Sequence, residues 1–380
     1  MQIKIVVNIH YLKKYLDFPF EILYNDIHNI VVKEAYTMKN FKRIFAIVLA
    51  AVMLMSLASC SLMPETETDI TNDNIKIGVL LSGAKDSTTG MSGATMTALN
   101  ELMSVGYGIN DEKFRYAENA DPNNADAAAE AIQSLLNFEC NLVIASDAEF
   151  LDDIQKKAAE EENAAVKFLV YGAENDGKNI YGYNANITGA DYLAGIVAGM
   201  KAAELNVPKL GYLVKDEADL TNLNAFAMGA KSVYADVKVA AVAGTDAASG
   251  VAALIKDGAV VIASDYEDEA IATACTDSKI FFCGFGSETY KDAETFLCAP
   301  VYNFTQFYIN AIKAIVDDKE PAAFEGGYVT GETYLSDINE NNVAKGTQEA
   351  VNKAAEAIAD GSLGLTVTVD TPAENVTIAK

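Results

Sequence analysis

The amino-acid sequence predicts an α/β fold with two Rossmann-like lobes, each built on a parallel sheet that is covered by helices. Short apolar runs alternate with helical segments along the chain after Ile75, a pattern typical of parallel sheets. The alternation starts again after a helical stretch rich in small residues at positions 188–203. Residues 60–380 also form a chain that is long for a single core and natural for two.

The first half of the alternation predicts strands at residues 75–81, 113–116, 142–145, 166–171 and 180–183. Helices are predicted at 94–103 and 149–162, with another after Asn123 and Asn124, which can cap it. In that helix Ala128, Ile132 and Leu135 recur at helical spacing. The second half predicts strands at 209–214, 237–243, 259–263 and 280–285 and helices at 188–203, 220–234, 250–256 and 267–276.

The rest of the chain is predicted to cross between the lobes. Residues 296–301 return to the first lobe, where 302–316 form a helix, and residues 326–335 cross again as a strand. A helix at 341–359 and a final strand at 363–369 complete the chain. The predicted first lobe spans residues 75–185 and 301–325, and the second spans 186–300 and 326–380.

The carboxyl ends of parallel strands meet at one edge of each sheet, and ligands bind in the crevice there. The loops at these ends therefore supply the candidate ligand-binding residues. They are Ser82, Asp86, Thr88, Thr89, Ser146 and Asp147 in the first lobe; Tyr183 and Asn184 near the first crossing; and Lys215, Asp265, Tyr266, Gly286 and Ser287 in the second lobe.

Several of these residues also have a structural interpretation. Asp86 can accept hydrogen bonds from a ligand or pair with an ammonium, or it can stabilise a turn. Asp147 can bind a ligand or cap the following helix. Tyr183, with its neighbour Asn184, can equally pack a hinge, and Lys215 can meet a ligand carboxylate or form a surface ion pair. Asp265 beside Tyr266 suits recognition of a sugar or an amine.

Residues 38–60 have the pattern of a bacterial lipoprotein signal. A basic start is followed by an apolar run at 44–55 and by Leu57-Ala58-Ser59-Cys60, and the run is shorter than a membrane span requires. We therefore predict a signal peptide at 38–59, lipidation at Cys60 and a polar tether at 60–74. Residues 1–37 are interpreted as an over-extended or non-native N-terminus.

Composition argues against catalysis and nucleic-acid binding. Residues 60–380 contain no histidine, which removes histidine-based triads and metal sites. They carry 21 Lys+Arg and 50 Asp+Glu, and such an acidic chain lacks the basic patches that phosphates need. No enzyme activity, metal or cofactor is predicted. The remaining cysteines, Cys140, Cys275, Cys283 and Cys298, lie in apolar surroundings typical of buried thiols, and a disulfide stays open.

Residues 181–200, which include Tyr192-Leu193-Ala194-Gly195, resemble a segment of the basic membrane protein family. These are lipoprotein substrate-binding proteins of ABC transporters. Residues 209–214, 225–231 and 256–262 are similar to the family's second lobe in the right order, and 141–169 to its first. The resemblance implies a type I periplasmic-binding fold whose two lobes, joined by crossing strands, close on a ligand. Many members bind purine nucleosides.

The sequence differs from this family at two positions that contact the ligand in family members. Thr89 and Gly90 stand where the family has Phe-Asn, and Gly286-Ser287 stands where it has an aspartate. We therefore expect a monomeric, lipid-anchored, extracytoplasmic receptor that delivers a nucleoside-like or sugar-like solute to a permease. The alternatives are a ligand-binding sensor and a surface lipoprotein that is not coupled to transport.

Overall fold

Two six-stranded parallel sheets form the framework of the protein. The computed structural model describes residues 75–104, 108–176, 178–322 and 324–379. The predicted signal peptide, Cys60 and the tether lie outside the described residues. No helix in these ranges is long and apolar enough to cross a membrane.

The strands and helices of the first half follow in the predicted order. They are β1 (Ile77–Leu80), α1 (Gly90–Ser104), β2 (Phe114–Ala117), α2 (Ala125–Asn137), β3 (Leu142–Ala145), α3 (Leu151–Ala158), β4 (Lys167–Tyr171), β5 (Ile180–Asn186) and α4 (Thr188–Glu204). Asn124 caps α2, as predicted, by accepting a hydrogen bond from the Ala127 amide at 3.3 Å. The predicted helix at 149–162 is shorter, with 3-10 turns on both sides of α3.

The second half continues with β6 (Lys209–Val214), α5 (Thr221–Val233), β7 (Lys238–Ala243), α6 (Ala247–Lys256), β8 (Val261–Ser264), α7 (Glu269–Ser278) and β9 (Phe281–Cys283). The remaining elements are β10 (Phe296–Cys298), β11 (Pro300–Tyr302), α8 (Thr305–Val316), β12 (Phe324–Gly327), β13 (Thr333–Leu335), α9 (Thr347–Ala359) and β14 (Val376–Ala379).

The first sheet has the strand order β12-β5-β4-β3-β1-β2, and the second has β10-β9-β8-β6-β7-β14. The inner strands β1, β3, β4, β6 and β8 are buried on both faces, and they are the continuous apolar runs of the sequence. In β1, Ile77 and Val79 pack on the face covered by α1 and α8, whereas Leu80 packs on the face covered by α2 and α3. The predicted α/β class with two parallel sheets is confirmed.

Three passages of the chain join the sheets. The first leads from β5 into α4, the second from β10 through β11 into α8, and the third from β12 through β13 towards α9. Strands β11 and β13 pair antiparallel, with Pro300 opposite Leu335. We call the first sheet with its helices the first lobe and the second sheet with its helices the second lobe.

Three sequence predictions near the crossings are wrong. Residues 326–335 form two strands instead of one, because a turn with Gly331 at φ +93° separates β12 from β13. The first of these, β12, pairs with β5 in the first sheet, so the predicted lobe boundary at residue 325 falls inside a strand. Residues 296–298 are also the edge strand of the second sheet, and the return to the first lobe begins only at Pro300.

The predicted final strand at 363–369 is absent, and β14 at the edge of the second sheet takes its place. Leu363, Leu365 and Val367 are apolar at alternate positions because they pack as an extended segment against the second core. The buried side chain of Asn224 fixes the end of this segment. Its amide donates to the Thr368 carbonyl at 2.8 Å and therefore takes a hydrogen-bonding group that a sheet would need.

Candidate ligand-binding site between the two sheets

The loops at the carboxyl ends of the two sheets face each other and are in contact. The amide of Gly90, the first residue of α1, donates to Glu267 Oε2 of the second lobe at 2.8 Å. The Thr289 hydroxyl of the second lobe donates to the Thr88 carbonyl at 2.7 Å. Both lobes belong to one compact unit. The cleft between the lobes is therefore closed, and these two hydrogen bonds form what we call the latch.

A cluster of hydroxyl groups surrounds one carboxylate on the first-lobe side. Asp147 Oδ2 accepts hydrogen bonds from the Ser82 hydroxyl, at 2.7 Å, and from the Ser146 hydroxyl. Ser92 on α1 lies 3.2 Å from the Ser82 hydroxyl and 3.4 Å from that of Ser146. Asp147 does not cap the following turn with its side chain. The serines organise this carboxylate at the end of β3, where a ligand hydroxyl or ammonium would meet it.

Other predicted first-lobe residues have different positions. Asp86 is exposed in a turn that the Ser87 amide closes by donating to the Ala84 carbonyl. Thr88 contributes its carbonyl to the latch. The Thr89 carbonyl accepts hydrogen bonds from the Ser87 hydroxyl and from an amide of α1. This loop therefore joins the lobes through its backbone.

Tyr183 belongs to the core of the first lobe. Its side chain is fully buried, and its hydroxyl lies 3.1 Å from the Ala145 carbonyl and 2.8 Å from the Tyr308 hydroxyl. Burial raises the pKa of Tyr183 well above its ordinary value. Asn184 is exposed, and its side chain accepts a hydrogen bond from the next amide in the chain. The structural interpretation of Tyr183 as a packing residue fits these contacts.

In the second lobe, Asp265 follows β8 directly and lies at the sheet edge. Its Oδ1 accepts a hydrogen bond from the Lys215 amide at 2.7 Å, while the Lys215 side chain is exposed. Burial raises the pKa of Asp265 to about 7, against the opposing effect of that amide. The carbonyl of Tyr266 accepts from the Ser264 hydroxyl at 2.7 Å, which fixes the loop. Asp265 is therefore held at the sheet edge with a carboxyl group that titrates near neutrality.

Gly286 and Ser287 connect this edge to the crossing strands and to the latch. Gly286 has φ +79°, a conformation that favours glycine, and its amide donates to the Pro300 carbonyl at 2.7 Å. The Ser287 hydroxyl donates to Glu267 Oε1 at 2.5 Å. Ser287 therefore orients the carboxylate that reaches across to α1. Burial raises the pKa of Glu267, and its hydrogen bonds oppose that effect.

Aromatic side chains pack together beside the crossing and form what we call the aromatic wall, in which Phe304 is fully buried. The rings of Tyr302 and Phe304 stack with centroids 5.7 Å apart. Tyr171 of the first lobe and Phe285 of the second meet Tyr302 edge-on at 6.4 Å and 6.2 Å. The hydroxyls of Tyr171 and Tyr302 also interact electrostatically. Such rings suit the apolar face of a sugar or a base.

Sequence reasoning missed Ser92, Glu267, Thr289 and the aromatic wall. Glu267 could have been found, because it follows Asp265 and Tyr266 in the same loop. Ser92 and Thr289 carry no signal, since a serine in a helix and a threonine in a loop are common. Sequence reasoning also missed Asp191 in α4 and Tyr212 in β6, which are buried at 2% and 0% exposure.

Two cavities are each lined by residues of a single lobe. A space of about 10 Å³ lies beside Tyr266, Glu267 and Tyr290, which is at most the room for one water. A cavity of about 370 Å³ lies elsewhere, beside Ile75, Asn141 and Lys167 at the amino ends of first-sheet strands.

Across the ranges that the structure covers, no group of three or more His, Cys, Asp or Glu side chains could hold a metal ion. Cys140, Cys275, Cys283 and Cys298 are buried free thiols. The sulfur atoms of Cys283 and Cys298 lie 3.7 Å apart on the neighbouring strands β9 and β10.

Known structures share this architecture. A solute-binding protein of an ABC transporter system from Conexibacter woesei matches with a TM-score of 0.62 and 17% identity, covering 77% of this chain and 99% of that one. A solute-binding protein of an ABC transporter system from Aeropyrum pernix matches with a TM-score of 0.59 and 14% identity, covering 76% of this chain and 92% of that one. A Bacillus halodurans protein described as a transcriptional activator of the comK gene matches with a TM-score of 0.58 and 18% identity. The match covers 76% of this chain and 98% of that one. The chain has the type I periplasmic-binding fold.

Sequence comparison reaches less far. No protein-family model matches the chain. A curated protein of Haloferax volcanii with the provisional name ABC transporter glucose-binding protein TsgA13 is 27% identical over 194 residues, which cover 49% of each chain. The match therefore spans about half the length of that relative.

Proposed function

We propose that this protein is a non-catalytic solute receptor that captures a small polar ligand by closing its two lobes. The observation that carries the proposal is the arrangement of the two sheet edges. Each presents a hydrogen-bonded carboxylate, Asp147 on one side and Asp265 on the other. An aromatic wall lies beside them. Convergent polar groups beside aromatic rings are the usual composition of a small-molecule site.

The proposal extends to the partner and to the location of the protein. The solute would be handed to an ABC transporter permease, and Cys60 would anchor the receptor on the outer face of the cell membrane. The curated relative with a glucose-binding name supports the transport role. Membership of the basic membrane protein family is part of the same proposal, and it is supported by the ordered motifs around Tyr192.

The ligand is expected to be nucleoside-like or sugar-like. The aromatic wall can stack on either class, and the serine cluster around Asp147 can bind hydroxyl groups. Thr89 and Gly90 provide no aromatic ring in the first loop, so any stacking falls to Tyr171 and Tyr302. This arrangement favours a sugar over a purine, because a purine would need a ring on both faces to be held as firmly.

A thermal-shift screen of the full chain in mild detergent tests the receptor function. The panel contains nucleosides, nucleobases, pentoses, hexoses and amino acids. A ligand that binds only the folded protein stabilises it and so raises the melting temperature. At a ligand concentration one hundred times Kd, the stabilisation is about 2.7 kcal/mol. The Asp147→Asn variant should respond less to the same compound, whereas Asp292→Asn, at an exposed position, should respond fully.

A sensor is the second candidate, because the Bacillus halodurans protein with this fold is described as a transcriptional activator. Reconstituted transport separates the two functions. A receptor for transport stimulates solute uptake by its permease in vesicles, whereas a sensor binds the same solute without supporting uptake. A chain that binds no compound in the panel would instead be a surface lipoprotein with another role.

A further inference from the structure

Two cysteines of the second lobe lie side by side on neighbouring strands. Cys283 ends β9 and Cys298 ends β10, and their sulfur atoms are 3.7 Å apart. The two residues are direct partners in the parallel pairing of these strands. Neighbouring strands lie about 4.7–4.9 Å apart, and a disulfide needs Cα atoms that are about 4.4–6.8 Å apart. The backbone spacing of this pair therefore suits a disulfide.

An irregularity in β10 creates this pairing. Phe296 pairs with Phe282 and Cys298 pairs with Cys283, so one extra residue, Leu297, stands between the two pairs on the β10 side. In a regular ladder Leu297 would be the partner of Cys283. The bulge instead turns both Leu297 and Cys298 into the core that contains Cys283, while Phe282 and Phe296 pack in the other core of the lobe. Bulges re-aim side chains in this way, and here the bulge brings the two thiols together.

The segment between the two cysteines carries the second-lobe part of the latch. It includes Ser287, which orients the latch carboxylate, and Thr289, whose hydroxyl donates to the first lobe. It ends in β10, which is three residues long and lies at the edge of the second sheet. A bond between Cys283 and Cys298 would close this segment into a ring and reduce the entropy of the unfolded chain. It would therefore fix both ends of the loop that reaches across the cleft.

We propose that Cys283 and Cys298 form a disulfide when the chain folds outside the cytoplasm. The bond rests on the proposed extracytoplasmic location, because disulfides persist in oxidising compartments. The two thiols give up two protons and two electrons, and a disulfide oxidant, such as glutathione disulfide, takes up both and becomes two thiols. Burial raises the pKa of the Cys298 thiol well above its ordinary value, so the thiolate that starts this exchange is scarce after folding. The bond therefore forms before the core closes around the pair.

Peptide mapping tests the disulfide on the full chain. The reduced, unfolded chain is refolded in mild detergent with reduced and oxidised glutathione, alkylated in denaturant and digested with trypsin. Trypsin cuts after lysine, which places the two cysteines in separate peptides, residues 280–291 and 292–313. We expect these two peptides to be joined in most molecules and Cys275 to be alkylated. Recovery of both peptides in alkylated form, from protein that unfolds cooperatively on heating, would overturn the proposal.

Cys298→Ala removes the bond, and Cys275→Ala is the matched control because it removes another fully buried thiol of the same lobe. After oxidative refolding, we expect Cys298→Ala to melt about 5 °C below the control, and this gap to shrink when both variants are folded with a reductant. An equal gap under both conditions would contradict a stabilising bond.

The peptide map is independent of the ligand screen, so a chain that binds no compound still supports or contradicts the disulfide. The same map of chain taken from cells tests the location. Joined peptides after refolding together with free thiols in the cellular chain would support the pairing of Cys283 with Cys298 and count against the extracytoplasmic location.

Discussion

At the residue scale, surroundings decide what an aspartate does. Asp86 and Asp147 both follow strands of the first sheet. Asp86 is exposed in a turn, whereas Asp147 accepts hydrogen bonds from two serine hydroxyls. Asp191 is buried with an unsatisfied oxygen atom. The three residues are identical in chemistry, and the difference lies in which hydroxyls and carboxyls the fold brings near them.

Asp265 should make stability depend on pH. Its pKa is raised from an ordinary 3.8 to about 7 by burial. Between these values the folded protein holds a proton that the unfolded chain releases, so stability falls as pH rises through that interval. Asp265→Asn should remove this loss. The free energy of unfolding of the variant, relative to that of the wild type, should therefore rise by on the order of 3–4 kcal/mol from acid to neutral pH.

Urea unfolding at about pH 4.5 and about pH 7.5 measures this difference. Asp292→Asn is the control, because it removes the same charge from an exposed position of the same lobe. If the unfolding free energies of Asp265→Asn and the wild type differ by the same amount at both pH values, the result would contradict the burial of the Asp265 carboxyl.

At the element scale, helices α4 and α5 pack with their backbones in close contact. A β-carbon on Gly195 would lie 2.0 Å from the Phe226 carbonyl oxygen, and one on Gly199 would lie 2.7 Å from that of Ala230. The Gly-x-x-x-Gly spacing of Gly195 and Gly199 in α4 therefore serves packing inside a lobe. This close contact fixes the position of α4 against α5.

Gly195→Ala distinguishes packing from helix propensity. Propensity alone would stabilise α4 by about 1 kcal/mol. The added methyl group overlaps the backbone of α5, so we expect a net loss of about 1–3 kcal/mol in unfolding free energy. Thermal and urea unfolding measure the change, and Ala203→Gly, at an exposed position of the same helix, gives the propensity contribution. If Gly195→Ala is more stable than the wild type, the space between α4 and α5 is large enough for the added methyl group.

At the scale of the whole molecule, closure depends on few polar contacts. The latch joins Glu267 to the Gly90 amide and Thr289 to the Thr88 carbonyl. The carboxylate of Glu267 lies at the amino end of α1, where the helix dipole favours negative charge. Each such hydrogen bond contributes about 0.5–3 kcal/mol. A closed state held this weakly can open to admit a ligand and close again when the ligand adds its own contacts.

Removing the latch should shift the ligand-free protein towards the open state. We expect Glu267→Ala combined with Thr289→Val to increase the radius of gyration in small-angle scattering and to lower ligand affinity through a faster off-rate. Glu294→Ala, at an exposed position near the same loop, should leave the scattering curve unchanged. An unchanged curve for the double variant would show that apolar contacts at the crossing, and not the latch, keep the lobes together.

The sequence by itself determined the fold class, the order of most elements and the positions of Ser82, Ser146, Asp147 and Asp265 at sheet edges. Strands buried on both faces are continuous apolar runs, and parallel strands must place their carboxyl ends together. These local and topological rules need no knowledge of distant contacts.

Only the tertiary structure decided the rest. The alternating residues 363–369 are equally compatible with a strand and with an extended segment on a core, and the Asn224 side chain selects the second. The latch joins residues 177 and 201 positions apart, and Asp191 is buried only because α4 packs on the second sheet. Pairings between distant residues leave no periodic trace in a single sequence, so they become visible only when the chain is folded.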